Sequence, residues 1–449
     1  MKSVTRKNLL SGFGMMLLVL LVVLASCAPQ PTPTPAPAPT TPKTGPTTAP
    51  PIAPTTPPPA QATAKPSPTT PATPKPPIKI GVMLPLTGHL ASGGEEGFKG
   101  MEMYFNENGW EVAGRKVELI REDEASDPKV ALDKARKLVE LDKVQALTGI
   151  ISSAVAIAVT DYAEQRKVPL VLGMSGSTLL AFKKKSPYVV GVGHLNGDHT
   201  YAVTKYAFDK LGYRKAIMMA SDYAAGHEFA DVFKGVFEGL GGKVVTELYT
   251  PFGNRDFAPH LAGLKDKDAD FIWAFYADAE AINFVNQFNE FGLNRKFRIL
   301  GGQAGLTTPA AVKGMGDNAV GLYVGSHTPP FGALPGRAVS EKFAAEFLKK
   351  HGFPPGPMAY TSYQQVQTIA KAAEVAKGNV EDGMALLNAM KTLSFEGLCG
   401  PVKFDTGYNW MAVNNYAFEV VKTAGGELGF KLLETYEGVG PSTLAPYMK

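Results

Sequence analysis

After residue 77 the chain alternates short apolar, β-branched runs with segments of helical periodicity. Runs such as 78–84 and 271–275 have the length and composition of buried strands, and segment 129–141 carries apolar residues at helical spacing. Buried strands that alternate with helices of this length predict parallel sheets covered on both faces. The 372 residues from Ile78 to Lys449 exceed the size at which one core keeps growing. We therefore expect an α/β protein with two doubly wound lobes.

The first 27 residues have the organisation of an export signal. A positively charged start is followed by the apolar run 15–23 and by Leu24-Ala25-Ser26-Cys27. This arrangement resembles a bacterial lipoprotein signal, which predicts a signal peptide over 1–26 and lipid attached to Cys27. A single membrane-spanning anchor is the alternative, and Gly12 and Gly14 disfavour it.

The segment that follows Cys27 is rich in proline. Of the 49 residues from 29 to 77, 20 are proline, and most of the others are Thr or Ala. Proline fixes φ and lacks an N–H donor, so the segment can form neither a helix nor a sheet. We interpret 27–77 as the lipidated cysteine and a disordered, extended stalk; a proline-rich partner-binding segment is the alternative.

Composition and motifs exclude several classes of function. A net charge of +4 over 449 residues, without clustered Lys or Arg between aromatics, argues against nucleic acid. The sequence has no His-Glu-x-x-His and no complete dinucleotide fingerprint, so we expect neither a metal nor a cofactor. The turn around Ser175 is one residue short of the Gly-x-Ser-x-Gly nucleophile elbow, and no catalytic triad or carboxylate pair can be assembled. We therefore predict that the protein is not an enzyme.

Two hydroxyl-rich turns follow predicted strands and precede predicted helices. Ser152-Ser153 comes before an apolar helix start, and Ser175 and Ser177 lie in the turn 173–178. A serine at such a place is first of all a helix cap. The free N–H groups of a helix N-terminus also suit a carboxylate ligand, and both roles can coexist.

Motifs in a consistent order resemble one known family: the type I periplasmic solute-binding proteins of ABC importers, in their leucine/isoleucine/valine-binding group. The likeness covers almost the whole folded part. Its motifs are Ile80-Gly81, Leu86-Thr87-Gly88, Gly97-Phe98-Lys99-Gly100, Asp123-x-x-x-Asp127-Pro128, Ser152-Ser153, Asp222 with Gly226, Asp256-Phe257, Gly301-Gly302 and Gly400-Pro401-Val402-Lys403-Phe404-Asp405.

The resemblance implies a role for each matching residue. Ser153 matches the serine that holds the ligand carboxylate. Ser175 or Ser177 matches a hydroxyl that contacts the ligand, and a one-residue gap leaves both open. Tyr276 matches a tyrosine that reaches into the cleft from the second lobe. The loop of Asp222 and Tyr223 would close over the ligand.

The sequence also departs from the family pattern. The acidic residue that pairs a ligand ammonium is missing from the loop that contains Gln303, where the ungapped match is Ala304. Two cleft tyrosines are replaced by Gly93 and Ala225. Because an unpaired buried ammonium is costly, these departures favour an aromatic or other organic acid. A branched-chain amino acid remains open if Asp222 or another acid substitutes.

The resemblance implies two lobes joined by a three-strand hinge, one formed by 78–195 with 328–405 and the other by 196–327 with 406–449. We expect a monomer, lipid-anchored outside the cytoplasm, that closes around a small solute and delivers it to a permease and an ATPase. The alternative is a ligand-sensing subunit that reports to a separate signalling partner.

Overall fold

A computed structural model of the chain describes residues 75–88, 90–302 and 305–448. The predicted signal peptide, Cys27 and most of the predicted stalk lie outside the described residues. The prediction of two lobes built on parallel sheets is confirmed.

The first lobe is built on a sheet with the order β2-β3-β1-β4-β5-β6 among the described residues. Its pairs are parallel except for the short antiparallel pair of β2 with β3. Every side chain of β4, β5 and β6 is buried, as expected for strands covered on both faces. The strands are β1 (Ile78–Leu84), β2 (Glu111–Val112), β3 (Arg115–Asp123), β4 (Ala146–Thr148), β5 (Leu170–Leu172) and β6 (Val189–Gly191).

The second sheet has the order β12-β13-β14-β11-β10-β9-β7-β8, with β15 paired to β14, among the described residues. Strands β7 to β11 pair in parallel, whereas β12 to β15 pair antiparallel. The strands are β7 (Lys215–Asp222), β8 (Lys243–Pro251), β9 (Phe271–Phe275), β10 (Arg298–Gly301), β11 (Tyr323–Ser326), β12 (Ser394–Gly397), β13 (Gly400–Phe404), β14 (Met411–Lys422) and β15 (Leu428–Val439).

Helices connect the strands and cover both sheets, and their starts follow local chemistry. The Asp127 carboxylate accepts hydrogen bonds from two backbone N–H groups of α2, directly before Pro128 at the first helical position. The helices are α1 (Ala91–Asn108), α2 (Pro128–Arg136), α3 (Ser153–Arg166), α4 (Asp198–Asp209), α5 (Ala224–Gly239), α6 (Ala258–Leu261), α7 (Asp278–Glu290), α8 (Pro309–Met315), α9 (Ala338–His351), α10 (Pro357–Val375), α11 (Gly383–Lys391) and α12 (Pro441–Leu444).

The chain passes between the lobes at three places. The first crossing joins β6 to α4, the second joins β11 to α9, and the third is the strand β14 itself. Met411 and Val413, early in β14, pack in the core of the first lobe, whereas Tyr416 and Phe418 pack in that of the second. The predicted lobe boundary at residue 405 stays a prediction.

The start of the first crossing is hydrogen-bonded to the residues directly before β14. The N–H of Gly191 donates to the carbonyl of Asn409 at 2.8 Å, and the Trp410 indole N–H donates to the carbonyl of His194 at 3.2 Å. A Cβ at Gly191 would lie 2.0 Å from the Trp410 ring. Only glycine permits this contact, which fixes where the first crossing leaves the sheet.

No helix in the described part of the chain is long and apolar enough to cross a membrane.

Candidate functional site

A cavity of about 90 Å³ lies at the carboxyl ends of the parallel strands, where residues of both lobes and of the first crossing meet. Open α/β sheets bind ligands at this edge, since their strands lead there into loops and helix N-termini. The cavity is lined by Leu90, Gly93, Ile151, Ser152, Ser153, Met174, His194, Asn196, His199, Tyr223, Ala225, Phe229, Phe275, Ala277, Gly305, Thr308 and Met358.

Ser153 lies with Ser152 at the first lobe's wall of the cavity. It is the first residue of α3, is 2 % exposed, and follows β4 by a short loop. Its Oγ accepts a hydrogen bond of 2.9 Å from the Asn196 side-chain N–H. A hydroxyl that accepts from one neighbour keeps its own hydrogen to donate elsewhere. With the free N–H groups of the helix N-terminus, this donor is suited to bind a carboxylate.

Ser175 and Ser177 are both buried, and neither lines the cavity. The Ser177 hydroxyl donates to Glu228 Oε1 at 2.7 Å, so its hydrogen is already engaged. The Ser175 Oγ has no hydrogen-bond partner among the described residues. The turn packs tightly on the first crossing, since the Asn196 N–H donates to the Gly176 carbonyl at 2.5 Å. A direct ligand contact by either serine stays a prediction.

Aromatic side chains of the second lobe form the opposite wall. The rings of Phe229 and Phe275 stack with centroids 4.0 Å apart, and Tyr223 stacks on Phe252 at 4.4 Å. Phe229, Phe275 and Tyr223 all line the cavity. Asp222, by contrast, is exposed and lies 2.7 Å from the His227 ring, and it is absent from the lining. This wall offers a flat apolar surface, which suits a planar ring.

Tyr276 lies outside the cavity lining. It is fully buried, with its ring 4.9 Å from those of Phe257 and Phe284. Burial raises the pKa of its phenol well above the ordinary value, so the group is neutral. Its carbonyl accepts from the N–H of Gly305, a lining residue. Tyr276 therefore supports the wall through its backbone, and ligand contact by its side chain stays a prediction.

Gly93 lies at the start of α1 and lines the cavity. A Cβ there would be 3.2 Å from Ile151 Cδ1 and 3.3 Å from Met358 Cγ. Glycine thus leaves volume that a larger side chain would occupy. Gln303 lies outside the described residues, so its predicted role is untested.

The described lining contains no Asp, Glu, Lys or Arg. It contains two histidines, and His199 Nδ1 lies 2.9 Å from Asp198 Oδ1. Burial, with a smaller contribution from the His199 ring, lowers the pKa of His194 to about 3, so His194 is neutral at physiological pH. The cavity therefore has hydrogen-bonding groups and aromatic surface but no described carboxylate that could pair an ammonium. No group of three or more metal-ligating side chains is arranged for an ion within the described residues.

Sequence reasoning missed several residues that the fold brings to the cavity. His194, Asn196 and His199 belong to the first crossing and the start of α4, and Phe229 lies inside α5. None of them belongs to the hydroxyl-rich turns or to the family motifs on which the sequence prediction rests. The sequence Asn196-Gly197-Asp198 is a turn followed by a helix start, and Gly197 has a φ of 96°. That pattern could have indicated an ordered crossing, although not its contact with Ser153.

Comparisons with known proteins give one consistent result. The model of the periplasmic binding protein family matches residues 77–427. Leu/Ile/Val-binding protein homolog 6 from Brucella suis is 29 % identical over 373 residues, which cover 81 % of this chain and 92 % of the relative.

Solved structures with the same fold include an ABC transporter substrate-binding protein from Sphaerobacter thermophilus. It is 32 % identical, with a TM-score of 0.75, and the match covers 81 % of this chain and 99 % of that chain. A solute-binding protein of an ABC transporter from Rhodopseudomonas palustris BisB5, in complex with 3,4-dihydroxybenzoic acid, is 29 % identical with a TM-score of 0.73, and the match covers 81 % of this chain and 98 % of that one. A third, from R. palustris in complex with benzoate, is 25 % identical with a TM-score of 0.72, over 81 % of this chain and 97 % of that one.

Proposed function

Because the chain belongs to the periplasmic binding protein family, as a solute-binding component of an ABC transporter, we propose that it captures a small aromatic carboxylic acid. The observation that carries this proposal is a cavity with a serine donor at a helix N-terminus, an opposite aromatic wall and no charged side chain in its described lining. The family is extracytoplasmic and non-enzymatic, so the ligand would be held and passed on unchanged.

The carboxylate would bind at the first lobe. The Ser153 hydroxyl and the N–H groups that begin α3 would donate to its oxygens, which are charge-assisted contacts. Each hydrogen bond to a charged group contributes about 1.5–3 kcal/mol. Neighbouring N–H groups would share the negative charge, so no lysine or arginine is required.

The ring would pack against Phe229, Phe275 and Tyr223 of the second lobe. Offset or edge-to-face contacts between aromatic rings contribute about 0.5–1.5 kcal/mol beyond the burial of apolar area. Closure of the lobes would exclude water and strengthen each polar contact. The solved relatives in complex with benzoate and with 3,4-dihydroxybenzoic acid support this class of ligand.

A branched-chain amino acid fits the described lining less well. Its ammonium would lose water in the cavity without meeting a described carboxylate, and an unpaired buried charge is unfavourable by several kcal/mol. Leucine is still included among the tested ligands, because the Brucella relatives are named as Leu/Ile/Val-binding protein homologs.

The proposal also covers how the protein is attached to the cell envelope. Lipid on Cys27 would anchor the protein, as a monomer, to the outer face of a membrane, and the stalk over 27–77 would let it reach a permease with its ATPase. Replacing Cys27 with Ser should move the protein from the membrane fraction to the soluble extracytoplasmic fraction. Retention of the variant in the membrane would contradict the anchor.

The ligand class is tested by isothermal titration with benzoate, 4-hydroxybenzoate and leucine. We expect an aromatic acid to bind at least tenfold more tightly than leucine. Ser153→Ala should weaken that acid roughly 10- to 100-fold, the equivalent of one charge-assisted hydrogen bond. Thr160→Ala is the matched control, because this buried hydroxyl of the same helix donates to the Ala156 carbonyl instead. Tighter binding of leucine, or an unchanged affinity in Ser153→Ala, would overturn the proposal.

A further inference from the structure

A chain of hydrogen bonds joins Ser153 to the second lobe. The Asn196 side-chain N–H group donates to Ser153 Oγ at 2.9 Å and to Glu228 Oε2 at 2.5 Å. Glu228 Oε1 in turn accepts from the Ser177 hydroxyl at 2.7 Å and from the Leu179 N–H at 3.2 Å. Ser153, Ser177 and Asn196 are each no more than 3 % exposed, so water competes little for these contacts.

The residues joined by these hydrogen bonds belong to three different parts of the fold. Ser153 starts α3 in the first lobe, and Ser177 and Leu179 follow β5 in the same lobe. Asn196 lies on the first crossing. Glu228 lies on α5, which follows β7 of the second lobe. One carboxylate of the second lobe is thus held by two groups of the first lobe and by one group of the crossing.

Donor and acceptor directions along the chain are determined by chemistry. A carboxylate only accepts, so Asn196 must present its NH₂ group to Glu228. The same NH₂ group then donates to Ser153, whose oxygen accepts and whose hydrogen is left for the cavity. Without Glu228 the Asn196 amide could rotate and present its oxygen, and Ser153 would then donate to Asn196 rather than to a ligand.

We propose that Glu228 is a positioning residue: through Asn196 it directs the Ser153 hydroxyl at the ligand carboxylate and couples that contact to the approach of the second lobe. The inference rests on the proposed function for its ligand. It goes further in assigning a role to a glutamate that lies outside the cavity lining, and in naming the path by which binding is linked to the lobes. When the Ser153 hydroxyl donates to a ligand carboxylate, its oxygen becomes a better acceptor for Asn196, which strengthens the hydrogen bonds that lead to Glu228 on α5.

The first test is a double-mutant cycle for benzoate binding, with Glu228→Gln, Ser153→Ala and the pair. A glutamine at 228 keeps the most contacts when its oxygen faces Ser177 and Leu179 and its NH₂ group faces Asn196. The Asn196 amide must then present its oxygen, and Ser153 donates to it rather than to the ligand. We expect benzoate to bind roughly tenfold more weakly to Glu228→Gln, the equivalent of one net hydrogen bond. In the Ser153→Ala background the same change should cost less than twofold, because the two residues act as one unit. Full additivity would overturn the proposal.

The matched control is Asp231→Asn, which makes the same carboxylate-to-amide change on the exposed side of α5. It should leave benzoate binding unchanged. If it weakens binding as Glu228→Gln does, the effect is one of general charge or of helix stability, and the positioning role is refuted.

A second measurement needs no ligand and separates this inference from the proposed function. In the ligand-free full chain, Glu228→Ala should accelerate amide hydrogen exchange at Leu179, because it removes the oxygen that accepts from this N–H. Asp231→Ala, on the exposed side of α5, should not. Unchanged exchange at Leu179 would overturn the inference even if benzoate binds. Failure of every acid to bind the native protein, with accelerated exchange in Glu228→Ala, would overturn the proposed function while the contact between the lobes stands.

Discussion

Glu124 gives the sharpest prediction about stability. It follows β3, is 0 % exposed, and neither carboxyl oxygen has a well-aligned hydrogen bond within the described residues. Burial, followed by the Asp123 and Asp127 carboxylates, raises its pKa from 4.5 to about 7; the N–H groups of Ser126 and Asp127 oppose the shift but are outweighed. The folded protein therefore holds this proton more tightly than the unfolded chain does.

The sign and size of the effect follow from this difference. A raised carboxyl pKa stabilises the fold at low pH, and the contribution is lost as pH rises from 4.5 through about 7. The loss amounts to about 3 kcal/mol in full, since a tenfold change in proton affinity corresponds to about 1.4 kcal/mol. Glu124→Gln keeps the shape of the neutral side chain and removes the group that titrates. We expect it to match the native protein at pH 5 and to be more stable by about 3 kcal/mol at pH 9.

Urea denaturation followed by tryptophan fluorescence at pH 5, 7 and 9 measures this difference. Glu118→Gln, an exposed glutamate of the same strand, is the control and should leave the pH dependence of the unfolding free energy unchanged. If Glu124→Gln loses stability between pH 5 and 9 as steeply as the native protein, the buried carboxyl is not the cause and the reasoning fails.

Three further substitutions test a buried imidazole, a buried phenol and a close backbone contact. Burial lowers the pKa of His194 from 6.5 to about 3, so the unfolded chain binds this proton more tightly than the folded protein. The free energy of unfolding should therefore fall by about 1.4 kcal/mol for each pH unit between 6.5 and 3. A His194→Gln variant with the same acid slope in urea titrations would contradict this. Tyr276→Phe removes a hydroxyl without a well-aligned partner and should change the benzoate dissociation constant less than twofold; a tenfold loss in titration calorimetry would instead place the phenol at the ligand. Gly191→Ala pushes a methyl group into the Trp410 ring and should destabilise the fold by about 2 kcal/mol, with an unchanged thermal melting curve as the refuting result.

The parallel strands could be predicted because each is a continuous buried apolar run. The bounds of β1 and β9 agree with the sequence prediction to the residue, since both strands are covered on two faces. The hairpin of β14 and β15 was not predicted. Buried Asn414 and Asn415 interrupt the apolar run of β14, and only a few side chains of β15 are buried, so neither strand carries the pattern of a parallel core strand.

The site could be predicted only where a residue lies in a turn after a predicted strand or at a position that the family resemblance marks. Ser153 belongs to both groups, Gly93 and Tyr223 belong to the second, and all three line the cavity. Asn196 and Glu228 could not be found, because their importance comes from hydrogen bonds to residues 43 and 51 positions away in the chain. Such contacts are set by how the lobes pack, which no local pattern records.

The strand β14 belongs to both lobes, and this limits how they can move. Its start pairs with β13, where Lys403 lies opposite Ala412, and its middle pairs with β11, where Ser326 lies opposite Tyr416. Sliding one lobe sideways past the other would have to break one of these two ladders. Twisting about β14 changes a few backbone torsions and leaves both ladders intact, so rotation is the motion that the molecule permits.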